Sequence, residues 1–361
     1  MRRIELARYR TCRKPKNGRS KINSRRIHIM RRNRMVESNE TSDSILKNAK
    51  LYGETVKDFL SMDRLIKELG KKLTFSDSEQ ITAKNFFRDI NYYRFSIYPK
   101  LLPRRQDAKK YSFTDALNLY YFDEFLKSNL YEFTSYFENK WKGSLVNYLG
   151  NNYENEKFFM AQCYLDLNLY QSEEWAKKII LKIESRIKES NSLPIQHHRK
   201  YKSDYIPLWV LVEELTFGEF ETFLTQINKS QLQGYIKSIY DHPTYHKAFS
   251  GWIASIRLLR NKISHHSRLY GANFTKPPQI FRADLPAFCP NIKSKPKLRN
   301  QLIACFYVFH KLFLFENTKI ASQWNSFLMV LEEEIQRLDP ILDVQNYLGF
   351  PVGWKELFTI R

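Results

Sequence analysis

Residues 112–149, SFTDALNLYYFDEFLKSNLYEFTSYFENKWKGSLVNYL, decide the fold. Leu119, Phe122, Leu126, Leu130, Phe133, Phe137, Trp141, Leu145 and Tyr148 recur at steps of three and four, which sets them along one face of an α-helix. Ser112 precedes Asp115 by three residues, so the hydroxyl and carboxylate can cap the first turn reciprocally. Unbroken, this helix is about 55 Å long at 1.5 Å per residue, enough to be the backbone of a domain. An aromatic stripe at helical spacing reads as core rather than as a cofactor box.

Helical punctuation continues in both directions. Val56, Phe59, Leu60, Ile66 and Leu69 keep the same spacing up to Gly70. Ser76-Asp77-Ser78-Glu79 has the form of a capping box, and the helix it opens runs through Ile81, Phe87 and Ile90 into Asn91-Tyr92-Tyr93-Arg94-Phe95. Pro99 and Pro103 then break the chain. Beyond the long helix, 150–171 and 190–206 read as loops around a helix over about 172–189, because Gly150, Asn residues and Pro194 interrupt them. Leu208-Trp209-Val210-Leu211-Val212 fits helix or strand, and Glu213 and Glu214 favour helix. Further helices are expected at 231–240, 245–269, 297–316 and 318–337. No strand pattern, repeat or GxGxxG competes, so the reading is all-α: a helical bundle with additional N-terminal helices and a long central helix. It divides into a basic extension (1–45), an N-terminal helical region (46–111) and the main helical domain (112–361).

Composition narrows the class of partner. The net charge of +21 implies an acidic polymer, because clustered Lys and Arg displace the counterions condensed on phosphates. Residues 1–34 hold fourteen Lys or Arg against Glu5 alone, so they supply +13 and the rest of the chain +8. The extension is too polar to bury its own ordering cost. It reads either as upstream sequence, with Met30 or Met35 as alternative starts, or as an RNA-binding arm. Cys12, Cys163, Cys289 and Cys305 form no CxxC pair, which argues against a zinc knuckle or disulfide framework and fits a reducing cytoplasm. The most apolar run, 302–315, contains His310 and Lys311 and falls short of a membrane span. A cytoplasmic protein without membrane attachment is expected.

The residues with chemical potential cluster at Arg260-Asn261-Lys262-Ile263-Ser264-His265-His266. On a helix from Tyr245, Phe249, Trp252, Ile256, Leu259 and Ile263 form a buried seam whose edge Arg260 continues. A guanidinium there needs a carboxylate, carbonyls or a phosphate. Asn261 lies one turn before His265, placed to orient its ring, whereas Arg260 and His265 are about 140° apart on an ideal helix. His266 falls in line with Leu259 and Ile263, so a core or interface role competes with a chemical one. An imidazole can move a proton to or from a ribose oxygen, and a guanidinium can hold the scissile phosphate, which together cut RNA without a metal or cofactor.

The string Arg260-Asn261-x3-His265-His266-x-Arg268-Leu269 resembles the RN-x3-HH-x-RL signature of abortive-infection proteins of the AbiD/AbiF-like branch of the HEPN superfamily. Asn91-Tyr92-Tyr93-Arg94 is similar to the family's NYYR element, and Leu119-Tyr120-Tyr121-Phe122-Asp123 to its LYxFD. Phe217-Gly218 resembles the SFG after the Pro-Trp segment, here Pro207-Leu208-Trp209. Order and spacing agree from about residue 52 to about 340. The resemblance implies an all-α HEPN domain that cleaves RNA in phage defence or toxin-like systems. Arg260 and His265 would be its catalytic pair, Asn261 an orienting residue and His266 a neighbour. It also implies a homodimer, because HEPN sites are composite and this chain carries one motif. Relatives have Glu-x3-Arg on the long helix where this chain has Glu138 and Lys142, and Glu138 is a candidate partner for Arg260.

Arg268 joins the motif as an RNA contact. Arg94, Arg104, Arg105, Lys109 and Lys110, interleaved with Tyr92, Tyr93 and Tyr98, are candidates for RNA contact by charge and stacking. The implied partners are an RNA substrate and a structured or antitoxin RNA. The main alternative is a non-catalytic RNA-binding scaffold that grips phosphate in the same pocket.

Overall fold

Ser112 begins the longest helix as its sequence dictates. Its Oγ accepts the Asp115 N–H at 3.1 Å while the Asp115 carboxylate accepts the Ser112 N–H at 2.8 Å. The computed structural model describes residues 59–107, 109–202, 205–290 and 299–361. The chain divides at Leu65 into two units, the first described only from residue 59. The second, Ile66–Arg361, holds every candidate site residue. The expected tail, 1–45, lies outside the described residues, as does Val56.

The main helices of the second unit are α1 (Asp77–Asp89), α2 (Phe113–Asn152), α3 (Glu173–Glu189), α4 (Leu193–Tyr201), α5 (Leu208–Glu214) and α6 (Phe217–Gln226). They continue with α7 (Lys229–Ile239), α8 (Tyr245–Ser264), α9 (Leu302–Phe313), α10 (Thr318–Arg337) and α11 (Trp354–Phe358). Among the described residues there is no strand, only isolated bridges at Thr74–Ser112 and Tyr170–Ile227. The fold is all-α.

α2 is the spine. Its 40 residues span about 60 Å, and Leu119, Leu126, Leu130, Phe137, Trp141, Leu145 and Leu149 are wholly buried. Phe133 meets Trp324 of α10 at 5.3 Å, Phe137 meets Phe313 of α9 at 5.2 Å, and Trp141 meets Phe249 of α8 at 5.4 Å. Each such ring removed from water contributes about 1.5–3 kcal/mol, so the stripe ties three helices to one. Trp141 Nε1 also donates to the Tyr240 hydroxyl at 2.9 Å, satisfying the polar end of a buried indole. α8 packs along α2 more extensively than any other pair of helices. α1 docks at the start of α2, where Phe86 meets Tyr120 at 5.2 Å and the Thr114 N–H reaches Glu79 at 2.9 Å.

Several boundaries differ from the sequence reading. Residues 193–201 are helical because Pro194 stands in the first turn, where its missing N–H costs nothing. The stretch 150–171 contains 3₁₀ turns at Met160–Leu165 and Leu167–Leu169. The ambiguous apolar run is α5, separated from α6 by extended Leu215 and the capping residue Thr216. The helix expected over 297–316 is the shorter α9, and the one expected over 245–269 ends at Ser264.

Candidate active site

α8 stops at Ser264 because a turn takes its last carbonyls. The Ser267 N–H donates to Lys262 O at 2.7 Å and the His266 N–H to Ile263 O at 2.9 Å, the paired bonds of a Schellman closure. The residue after the C-cap must then adopt left-handed backbone, and that residue is His266 at φ 50°. Glycine usually fills this place, and a side chain there costs about 1 kcal/mol. His265 and His266 are both exposed as a result. The expectation that His266 continues the buried seam therefore fails, since the chain leaves the helix before reaching it. His265 lines a cleft of about 260 Å³ with Asn261, Lys262, Ser267, Asn273 and Phe274.

Arg260 lies one turn earlier at the edge of the seam, its side chain 25% exposed. Nε donates to Glu138 Oε2 at 3.0 Å, and Nη2 donates to Oε1 at 3.0 Å and Oε2 at 2.8 Å. The guanidinium carbon stands 5.5 Å from the centre of the Phe217 ring. Lys142, almost fully buried, donates to Leu215 O at 2.9 Å and faces Glu138 Oε1 at 3.5 Å. Lys142 thus takes a carbonyl and one carboxylate oxygen, where an arginine would present a planar fork. Glu138 therefore faces two cations, and the excess charge of the group is positive. Asn261 Oδ1 accepts from Arg260 Nη1 at 3.2 Å. The amide thus steadies the arginine and not, as its spacing predicts, the imidazole. Nη1 carries a second N–H, which is available to an incoming phosphate oxygen.

The loop after His266 is pinned from below by Asp123, a fully buried carboxylate. Oδ1 accepts the Leu269 N–H at 2.9 Å and the Tyr270 N–H at 2.6 Å; Oδ2 accepts the Tyr98 hydroxyl at 2.9 Å and faces Lys127 Nζ at 3.4 Å. Burial first, and then the Asp123 charge, push the Tyr98 hydroxyl far above its ordinary value, so it stays a donor. This arrangement also explains why α8 cannot run to 269: the amides that would extend it bond to a side chain.

A family model described as Abi-like protein matches residues 85–271, just over half of the chain. The chain belongs to the Abi-like protein family. No curated protein and no solved structure matches it. The Abi-like segment is narrower than the span over which the motifs agree. It opens ahead of Asn91 and closes at Gly271, and so encloses Asp123, Glu138, Arg260, His265 and His266.

Within the Abi-like segment the structure sorts the remaining candidates. Arg268 turns back onto its own loop, Nη1 donating to Tyr270 O, and so braces that loop. Gly271, at φ 65°, leaves room for it, since a Cβ there would lie 2.8 Å from Arg268 Nη1. Arg94 is exposed on the one-turn helix Tyr92–Phe95. Arg104, Arg105, Lys109 and Lys110 gather around a separate cavity. Asp123 is a support of the His265 loop that the sequence reading does not single out. The signal is present, because an acid one turn from Leu119 and from Lys127 falls on the buried stripe and requires partners.

Among the described residues no three of His, Cys, Asp and Glu converge to hold a metal ion. His198, on α4, has Nδ1 2.6 Å from Tyr205 O. Among the same residues no helix is long and apolar enough to cross a membrane.

Proposed function

We propose that this Abi-like protein is a cytoplasmic endoribonuclease of the HEPN type that acts in abortive infection, the phage-defence role that the family description implies. The carrying observation is two side chains near the end of α8: a guanidinium held in one orientation by Glu138, and, five residues later, an exposed imidazole on the wall of a cleft that Arg260 does not line. The chain's excess of positive charge supports RNA as substrate.

The reaction needs only the RNA and these side chains. The ribose 2′-oxygen attacks phosphorus and gives its proton to one imidazole. The P–O5′ bond breaks, and a second imidazolium protonates the departing 5′-oxygen, leaving a 2′,3′-cyclic phosphate and a 5′-hydroxyl. Arg260 offers its remaining N–H to the charge growing on the phosphoryl oxygens. One ring cannot stand on both sides of the phosphorus, so the second His265 comes from a second copy. Mixing the unaltered chain with increasing amounts of His265→Ala chain tests this, since only a dimer of two unaltered chains holds both imidazoles. Cleavage that falls as the square of the unaltered fraction supports the composite site, and a fall in simple proportion to that fraction opposes it.

One observation favours a second reading. Glu138 already satisfies Arg260 as it would a structural arginine, which suits a non-catalytic scaffold that grips phosphate. RNA binding without cleavage by the intact dimer under activating conditions would favour the scaffold.

A further inference from the structure

A cavity of about 620 Å³ opens between the Pro99–Pro103 turn and the start of the 109–111 segment, walled by Lys72, Arg104, Arg105, Lys109, Lys110 and Tyr111. The five cations divide into two kinds. Arg105 is clamped by Asp107, Nε at 2.9 Å from Oδ1 and Nη2 at 3.0 Å from Oδ2, and its guanidinium lies 5.2 Å from the Tyr111 ring centre. Lys110 Nζ donates to Gly70 O at 3.1 Å. These two hold the wall in shape. Lys72, Arg104 and Lys109 are exposed, and among the described residues their side chains have no carboxylate or carbonyl partner. Three unopposed cations around one concavity raise its potential and attract phosphate, and the fixed ring and guanidinium beside them give a base a surface to stack on.

The cavity is mechanically joined to the His265 loop. Tyr98, at the head of the turn that forms its wall, shares Asp123 with Leu269 and Tyr270. Leu101 of the same turn lies against Gly271, 3.5 Å from where a Cβ would stand. We infer that this cavity is a second RNA-binding subsite, in which Lys72, Arg104 and Lys109 take backbone phosphates of a single strand whose scissile linkage lies at His265. The inference rests on the RNA reading of the α8 site and assigns it a docking groove outside the reacting groups. Free phosphate shares the chemistry but not the strand.

The test measures binding of a labelled single-stranded RNA oligonucleotide to the full chain carrying His265→Ala, so that cleavage does not intrude, across a range of salt. Replacing Lys72, Arg104 and Lys109 by Gln should weaken binding at least tenfold. It should also flatten the dependence of log Kd on log salt by about 2, since each phosphate contact on a single strand contributes about 0.7. A control triple, Lys229→Gln, Lys237→Gln and Lys319→Gln, removes equal charge from exposed positions elsewhere. Equal effects from the two triples would overturn the inference, as would inorganic phosphate that binds the cavity while RNA affinity is unaffected by the cavity triple. RNA affinity that depends on the cavity in a chain that never cleaves RNA would keep the subsite and remove the nuclease. No RNA affinity in the parent would remove both.

Discussion

Glu138 holds Arg260 by a fork of contacts at 2.8–3.0 Å between α2 and α8, while Lys142 approaches the same carboxylate from one turn away. This pairing fixes the plane of the guanidinium before any substrate arrives, the arrangement that transition-state stabilisation requires.

Arg260→Lys keeps the charge but loses the fork. RNA cleavage should fall about 100-fold, in line with the loss of one oriented donor set, while thermal stability changes little. Glu138→Ala leaves Arg260 and Lys142 without their shared carboxylate. It should lower stability by about 1–2 kcal/mol, moderated by the partial exposure of the pair, and abolish most cleavage. Paired denaturation and cleavage assays separate the two effects. Arg260→Lys as costly to folding as Glu138→Ala would make the arginine structural.

His266→Gly relieves the left-handed backbone at φ 50° and should raise stability by about 0.5–1 kcal/mol. A helix end built for stability alone would use glycine there. If His266 serves the site, the same substitution lowers RNA cleavage while raising the melting temperature, a combination that a structural role does not produce.

Asp123→Ala strands the Leu269 and Tyr270 N–H groups, the Tyr98 hydroxyl and, in part, Lys127, and should cost about 3 kcal/mol or more, the range for breaking a buried charged network. Asp123→Asn keeps an acceptor for the two amides and should cost less. Amide hydrogen exchange at 267–271 should quicken in the Ala variant ahead of exchange in α2.

Glu79 sets an acid limit. Burial acts to raise its pKa, but hydrogen bonds from Thr114 and Ser76 outweigh it and hold the carboxyl at about 2. A depressed folded value means stability that is fully present above the ordinary 4.5 and is lost as pH falls towards 2. Glu79→Gln should therefore lower the melting temperature at neutral pH and reduce its slope between those limits. An unchanged slope would show that the α1–α2 tie does not contribute.

The helical architecture is legible in the sequence because the stripe from Leu119 to Leu145 is long and periodic, and because Ser76 and Ser112 carry reciprocal caps. The end of α8 is not. Its pattern continues to Leu269, but the carboxylate that captures Leu269 and Tyr270 comes from a residue 146 positions away from the first of them, beyond the reach of local spacing. The pairing of Glu138 with Arg260 can be named from the motif, but spacing alone assigns Asn261 to the wrong neighbour. Spacing sets the amide one turn before His265, whereas in the folded protein its oxygen accepts from Nη1 of the adjacent Arg260. Arg268 is legible in the sequence only as part of the motif, and the folded loop adds its contact with the Tyr270 carbonyl.

The most direct measurement is the chemistry of the ends left on a defined RNA incubated with the purified protein in excess EDTA. The expected result is a 2′,3′-cyclic phosphate on one fragment and a 5′-hydroxyl on the other, with no cleavage by His265→Ala or of a substrate lacking the 2′-hydroxyl at the scissile position. Fragments with 5′-phosphate ends, or cleavage that EDTA abolishes or that survives His265→Ala, would contradict a metal-independent site built on Arg260 and His265.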